Sequence, residues 1–261
     1  MMEPNFRFRL LPYSAIRAIL GRVMRLLLLF IPPIILKLSM RIIRFIANTL
    51  STLPKEFSDL PRSQHGLYKL ITDFDFDSVL DIGSGSGEHA VVLKNHGKKV
   101  TALDFGTSVY AQESHNNYSG ISKINVDFYA YETEEKYDCI WASHVLEHQP
   151  DPGTFIRRCI DLTTDNGVIC ITVPPLKNKI VGGHLTLWNA GLLLYQLVFN
   201  GLDCRHASIC TYGYNVTIIV KKKIRKNLEL DYDNGDIRRL KEFFPSFVDE
   251  PFDGIIKKWN W

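Results

Sequence analysis

Residues 61–223 predict an α/β fold, one mostly parallel sheet with helices on its faces and a terminal antiparallel hairpin. Three observations carry this expectation. Short apolar runs rich in Val, Ile and Leu alternate with helical patterns from Ser78 onward, the pattern of a parallel sheet. The first run breaks at Asp81-Ile82 into Gly83, Gly85 and Gly87 just before a helical pattern, where bare backbone can approach a ligand. The last two runs are separated only by Tyr212-Gly213, and so short a connection joins antiparallel neighbours.

The elements follow in order. Residues 1–60 form an arm in which two helical patterns break at Pro32-Pro33, because proline removes a helix donor and clashes with the preceding turn. Ile16, Leu20, Val23 and Leu27 share one face, and Leu38, Ile42, Phe45 and Ile46 another, with arginines to the sides. A helix is expected at 66–73, strand one at 78–82, a helix at 88–96, and strand two at 99–104. A polar helix at 107–119 leads to strand three at 123–128, and 138–142 is a short buried strand. After Pro152 a helix buries Phe155, Ile156, Cys159 and Ile160, and the Asn166-Gly167 turn opens strand five at 168–173. Asn189 caps a helix over 190–200, and strands near 204–210 and 214–221 close the domain. The tail, 224–261, holds Phe243, Phe244, Phe247, Phe252, Trp259 and Trp261. It is too apolar to be disordered and is expected to pack as a lid or against the arm.

Two acids stand where chemistry is expected, at the carboxyl ends of the strands. Asp81 lies immediately before the glycine turn, and Asp104 ends the second strand about 20 residues after the first glycine. An ionised carboxylate only accepts hydrogen bonds, which suits Asp104 to the two hydroxyls of a ribose. The pattern fits either a dinucleotide or S-adenosylmethionine. The spacing Gly-x-Gly-x-Gly, with Glu88 in place of the last dinucleotide glycine, favours S-adenosylmethionine. So does Asp81, which could accept from a ligand ammonium and would repel a pyrophosphate.

The successive segments VLDIGSGSGEHA, VTALD, INVDF, KYDCIWASHVLEHQPDPGTFIRR and NGVICITVPP resemble the motifs of class I S-adenosylmethionine-dependent methyltransferases, over roughly residues 65–220. The resemblance implies a Rossmann-like class I sheet with S-adenosyl-L-methionine as cofactor. Asp81, Gly83 and Gly85 would meet its methionine end, with Gly87 completing the turn, and Asp104 its ribose. Asp127 and Phe128 would lie beside the adenine and Ser143 near the methyl-bearing sulfur.

Histidines on loops at this edge are the candidate acceptor-side groups. His184 follows Gly182-Gly183 and is expected to face the acceptor as base or hydroxyl-orienting donor, or else to be an exposed loop residue. His144 is the second candidate. His144, Glu147 and His148 match the pattern of inverted zinc proteases, but lie inside the methyltransferase frame. Some methyltransferases of lipophilic phenols look similar here and hold a divalent metal. In this chain His144 replaces the first of their acids, so no metal is expected, and Glu147 with His148 reads as a structural pair. Trp188 could stack on a sugar ring or staple the following helix.

Charge is divided unevenly. Residues 1–50 hold Arg7, Arg9, Arg17, Arg22, Arg25, Lys37, Arg41 and Arg44 against Glu3 alone, leaving 23 basic and 27 acidic residues in the rest. That acidic remainder disfavours a nucleic-acid partner. The apolar run Leu26–Leu36 is eleven residues, short of the ~20 needed to span a bilayer. The arm reads as an in-plane anchor on an anionic membrane surface, or as a cap on the domain or a dimer contact. Five cysteines without Cys-x-x-Cys spacing suit a reducing compartment. Together these features predict a cytoplasmic enzyme, peripheral on the inner face of the membrane. It would O-methylate a sugar hydroxyl of a lipid-linked or surface glycan, since the ending FDGIIKKWNW resembles methyltransferases of bacterial glycan assembly. The alternatives are methylation of a quinone-like lipophilic molecule and a non-catalytic cofactor-binding scaffold.

Overall fold

The computed structural model describes residues 53–108, 111, 118–248, 254–256 and 260–261. The two arm helices, most of the helix expected at 107–119, Phe252 and Trp259 lie outside the described residues. The helices are α1 (Lys55–Ser58), α2 (Gln64–Asp73), α3 (Glu88–Asn95), α4 (Pro152–Leu162), α5 (Ala190–Phe199) and α6 (Asp236–Leu240). The strands are β1 (Ser78–Ile82), β2 (Lys99–Asp104), β3 (Ser122–Asn125), β4 (Tyr137–Ser143), β5 (Thr163–Val173), β6 (Ser208–Tyr212) and β7 (Asn215–Lys221). Short 3-10 turns cover Phe128–Ala130, Leu146–His148 and Lys241–Phe243.

The seven strands form one sheet in the order β3-β2-β1-β4-β5-β7-β6. β1 to β5 run parallel, whereas β7 is antiparallel to both β5 and β6. The order reverses between β1 and β4, and such a switch point opens a crevice at the carboxyl ends of the strands.

Strand side chains alternate between two cores, as a period of two requires. Leu80, Ile140, Ile169, Ile171 and Ile218 face α4 and α5. Val79, Cys139, Trp141, Cys170 and Ile219 face α1, α2 and α3. Each fully buried aliphatic side chain stabilises by about 1.5–3 kcal/mol. Asp151 caps α4 by accepting from Thr154 N–H at 3.0 Å, with Pro152 at the first position, where its missing donor costs nothing. Asn189 caps α5 as expected, accepting from Leu192 N–H at 2.7 Å.

Three strands differ from expectation. β5 starts five residues early, at Thr163, and pairs Tyr137 with Thr163 before a register shift. Asn166 (φ +64) and Gly167 sit inside it instead of forming the turn that opens it. β3 ends at Asn125, and Asp127 then caps the following 3-10 turn by accepting from Tyr129 N–H at 2.8 Å. β6 is shifted to Ser208–Tyr212, so the hairpin loop is Gly213-Tyr214. Gly213 has φ +52 there, as a two-residue hairpin with matching twist needs.

The described part of the tail packs into the domain. Phe243, Phe244, Val248 and Ile256 join the α4/α5 core. Asn260 runs along β6, its Oδ1 accepting from Ile209 N–H (2.9 Å) and its Nδ2 donating to Ala207 O (2.7 Å).

Candidate active site

β1 ends in Asp81-Ile82, and the chain turns through Gly83 (φ +68), Gly85 (φ +52) and Gly87 (φ +84) into α3. Gly83 and Ser84 N–H both donate to Leu103 O, at 2.7 and 3.0 Å, which clips the turn to β2. A Cβ on Gly83 would stand 2.5 Å from Val145 Cγ2, and one on Gly87 would collide with the Tyr118 ring. The turn is therefore tight as well as left-handed, and glycine is required on both counts. Tyr118 was not singled out by the sequence. Its hydroxyl donates to Gly85 O at 3.3 Å, and no local pattern ties it to a turn some thirty residues earlier.

The two acids reach the turn differently. Asp104 accepts from Gly85 N–H through Oδ2 and from Gly106 N–H through Oδ1, both at 2.9 Å. Each oxygen keeps a further lone-pair direction, as a ribose-binding carboxylate needs. Asp81 is buried, and its Oδ2 has no hydrogen-bond partner; nor does the neighbouring Ser84 Oγ. Burial, then the charges of Asp104 and Glu88, raise the Asp81 carboxyl well above the usual range. A crevice with an orphaned buried carboxyl and two more acids nearby calls for a cation. The ammonium and sulfonium of S-adenosylmethionine meet that demand, and the residues present fit the group.

The expected adenine and sulfur contacts change character. Phe128 is buried in the α4/α5 core, its ring 4.9 Å from that of Phe155 and 5.3 Å from the Arg158 guanidinium. Those contacts set the ring in the core at the end of the β3 segment, and its place beside an adenine stays a proposal. Asp127 is half-buried, with Oδ1 committed to its own turn. Ser143, at the end of β4, shares a hydrogen bond with Ser63 Oγ at 2.6 Å.

Ser63 belongs to a buried polar knot that the sequence did not disclose. Asn215 Oδ1 accepts from Ser63 N–H (3.1 Å) and His144 Nε2–H (3.0 Å), while Asn215 Nδ2 donates to Tyr212 O (3.3 Å). The other ring nitrogen of His144, Nδ1, lies 3.2 Å from Glu147 Oε1. His144 is buried, its Nε2 spent on Asn215 and its Nδ1 turned towards the Glu147 carboxylate. These contacts fix the ring between Asn215 and Glu147, and a catalytic part for His144 stays a proposal.

Glu147 is 0% exposed. Its Oε1 is within ion-pair distance of His144 Nδ1 but not aligned as a hydrogen bond, so both carboxylate oxygens lack a hydrogen-bond partner. Its Oε1 is 3.9 Å from His148 Nε2, and the His148 and His184 rings meet edge to face at 4.9 Å. Glu147, His148 and His184 each bring one ligand atom within 4.8 Å of the others. One carboxylate and two imidazoles form a donor set suited to a divalent cation. The metal-free expectation rests on the 144–148 segment alone, whereas His184 arrives from the loop after β5. Burial holds His184 below the usual imidazole range; Glu147 opposes this and His148 adds to it. Trp188 takes the stapling role, buried and donating from Nε1 to Thr186 Oγ1 at 2.8 Å.

Residues 40–200 match a family model described as a methyltransferase domain. The chain belongs to that family, the class I S-adenosylmethionine-dependent methyltransferases. Among curated proteins, this methyltransferase is 33% identical over 96 residues to a ubiquinone biosynthesis O-methyltransferase of Serratia proteamaculans, covering 34% of this chain and 39% of the relative. A protein of the same name from Colwellia psychrerythraea is 28% identical over 144 residues, covering 53% and 54%. The chain thus matches between two-fifths and just over half of the length of these relatives. Among solved structures, the 1,6-didemethyltoxoflavin-N1-methyltransferase of Burkholderia thailandensis, with S-adenosylhomocysteine bound, superposes with a TM-score of 0.51. The identity is 16%, over 74% of this chain and 91% of that one. Human N-acetylserotonin methyltransferase in complex with S-adenosylmethionine gives 0.50 at 17% identity, over 61% and 52%. At these identities the superpositions speak for the fold alone.

Proposed function

We propose that this methyltransferase O-methylates a lipophilic phenol of the quinone-precursor kind. The observation that carries this reading is the buried, donorless carboxylate of Glu147 beside His148 and His184. A phenolic hydroxyl gains from such a group, either through a cation gathered by the three side chains or through direct proton transfer. S-adenosylmethionine, when bound, supplies a methyl carbon already activated on a sulfonium, so positioning provides much of the rate. Asp81 would hold its ammonium and Asp104 its ribose. Where Glu147, His148 and His184 hold no cation, His184 would take the proton of the acceptor hydroxyl. The names of the curated relatives support a quinone-type acceptor by analogy only.

The glycan hydroxyl expected from the sequence is the competing acceptor. It loses the support of Trp188, whose indole is buried away from any sugar. Attachment of residues 1–50 to an anionic membrane remains a proposal resting on their sequence. The test incubates the full chain with S-adenosylmethionine and a prenylated dihydroxybenzoate, with and without a chelator, and looks for the methyl ether by mass spectrometry. Methylation of a lipid-linked sugar with none of the phenol would overturn the assignment.

A further inference from the structure

The loop that follows β5 is unusual in what it shows to solvent. Between Pro174 and Trp188 it exposes Leu176 (53%), Ile180 (90%), Leu185 (63%) and Leu187 (51%), four of the ten exposed large hydrophobic side chains among the described residues. Scattered exposed aliphatics are ordinary; a cluster within twelve residues marks an interaction surface. The same loop carries Lys177 and Lys179, both exposed, and the sequence has no acid between Asp165 and Asp203.

The exposure does not come from a loose segment. A bridge between Pro175 and Trp188 closes the base of the loop. Leu185 and Thr186 N–H donate to Glu147 O at 2.8 and 3.1 Å, and His148 Nδ1 donates to Gly183 O at 2.6 Å. Lys177 Nζ rests 3.9 Å from the Tyr214 ring centroid. The backbone is thus pinned at several points while its aliphatic side chains stay outside the core.

We propose that this loop docks on an anionic lipid surface, with Ile180 and its aliphatic neighbours in the interfacial layer and Lys177 and Lys179 on headgroup phosphates. Apolar side chains flanked by lysines are the combination that binds an anionic interface. No helix among the described residues is long and apolar enough to cross a membrane, so attachment here lies in the plane of the surface. The loop itself carries His184, so a lipophilic acceptor could pass to the site without crossing water. That last clause rests on the proposed acceptor; the docking itself does not.

The five native cysteines are buried, so Ile180→Cys in the full chain can be labelled selectively with an environment-sensitive nitrobenzoxadiazole dye. Asp165→Cys, near the start of β5 and so at the opposite end of that strand from the loop, with its side chain 99% exposed, is the control. Vesicles of phosphatidylglycerol and phosphatidylcholine should shift the emission at 180 to the blue and leave that at 165 unchanged. Phosphatidylcholine alone should shift neither. Lys177→Gln and Lys179→Gln should each weaken vesicle binding about fivefold, the scale for one lysine at an anionic surface. If the protein sediments with anionic vesicles while the label at 180 keeps its aqueous emission, attachment lies elsewhere and the inference is wrong. Failure to bind anionic vesicles, or equal shifts on neutral ones, overturns it too. None of these readouts needs donor or acceptor, so loss of the phenol assignment would leave them standing.

Discussion

Gly83→Ala places a methyl group where the backbone has φ +68 and Val145 Cγ2 stands 2.5 Å from the new Cβ. The left-handed conformation costs an L-residue about 1–2 kcal/mol. Forcing a methyl into a filled site costs a further 1–3 kcal/mol or so, giving about 2–5 kcal/mol in all. Val145→Ala removes the opposing methyl, so the double variant should recover the packing part and keep the conformational part. Urea unfolding followed through the buried Trp141 and Trp188 would measure each variant and the coupling between them, expected at about 1–3 kcal/mol. Cofactor affinity should fall in Gly83→Ala and return in part with the second substitution if the displaced turn is the donor-binding surface, as proposed. Additivity of the two substitutions to within about 0.5 kcal/mol, or an alanine variant as stable as the parent, would refute the claim that Val145 shapes this bend.

Further outcomes can be measured. The folded apo chain holds the Asp81 proton above the ordinary value of 3.8, so its contribution to stability is full below that pH and fades as pH rises towards the folded value. A bound ammonium favours the ionised form, so binding of S-adenosylhomocysteine should release a proton and tighten with rising pH over that window. Asp81→Asn should abolish the release in calorimetry with buffers of different ionisation enthalpy, and its absence from the parent would contradict the role given to Asp81. His184→Ala should lower kcat by about 10²–10⁴-fold, the scale of a lost general base, with S-adenosylhomocysteine affinity little changed; unaltered turnover would remove it from the chemistry. Asp236, buried and accepting from Asp231 and Tyr232 N–H at 3.0 and 2.7 Å, should cost about 2–4 kcal/mol as Asp236→Ala, because two donors lose a charged acceptor. Thermal and urea denaturation report that loss.

The strand-turn-helix of the proposed donor half is legible in the sequence because it is local. Strand, glycine turn and helix follow one another within 78–95, and β1 and β2 begin and end where apolar alternation and a terminal acid place them. β5 was misjudged because Thr163-Thr164-Asp165-Asn166 reads as polar turn chemistry. Pairing of Thr163 with Tyr137 across a register shift overrides that local preference, as tertiary contacts often do. β6 lies several residues later than the sequence suggests because Gly213-Tyr214, not Tyr212-Gly213, carries the turn. The acceptor half was harder to read for a different reason. Glu147, His184, Ser63 and Asn215 meet only through the fold, across separations that no spacing rule covers.

Asn260 has a bearing on how the molecule keeps to itself in a crowded solution. An outermost strand offers a row of unspent peptide groups to any passing chain, and such rows seed aggregation. Along β6 one side-chain amide takes up the Ile209 N–H and the Ala207 carbonyl, standing in for a missing eighth strand. Replacing it with a leucine would leave that row open beside an apolar neighbour, turning a finished margin into a template for self-assembly.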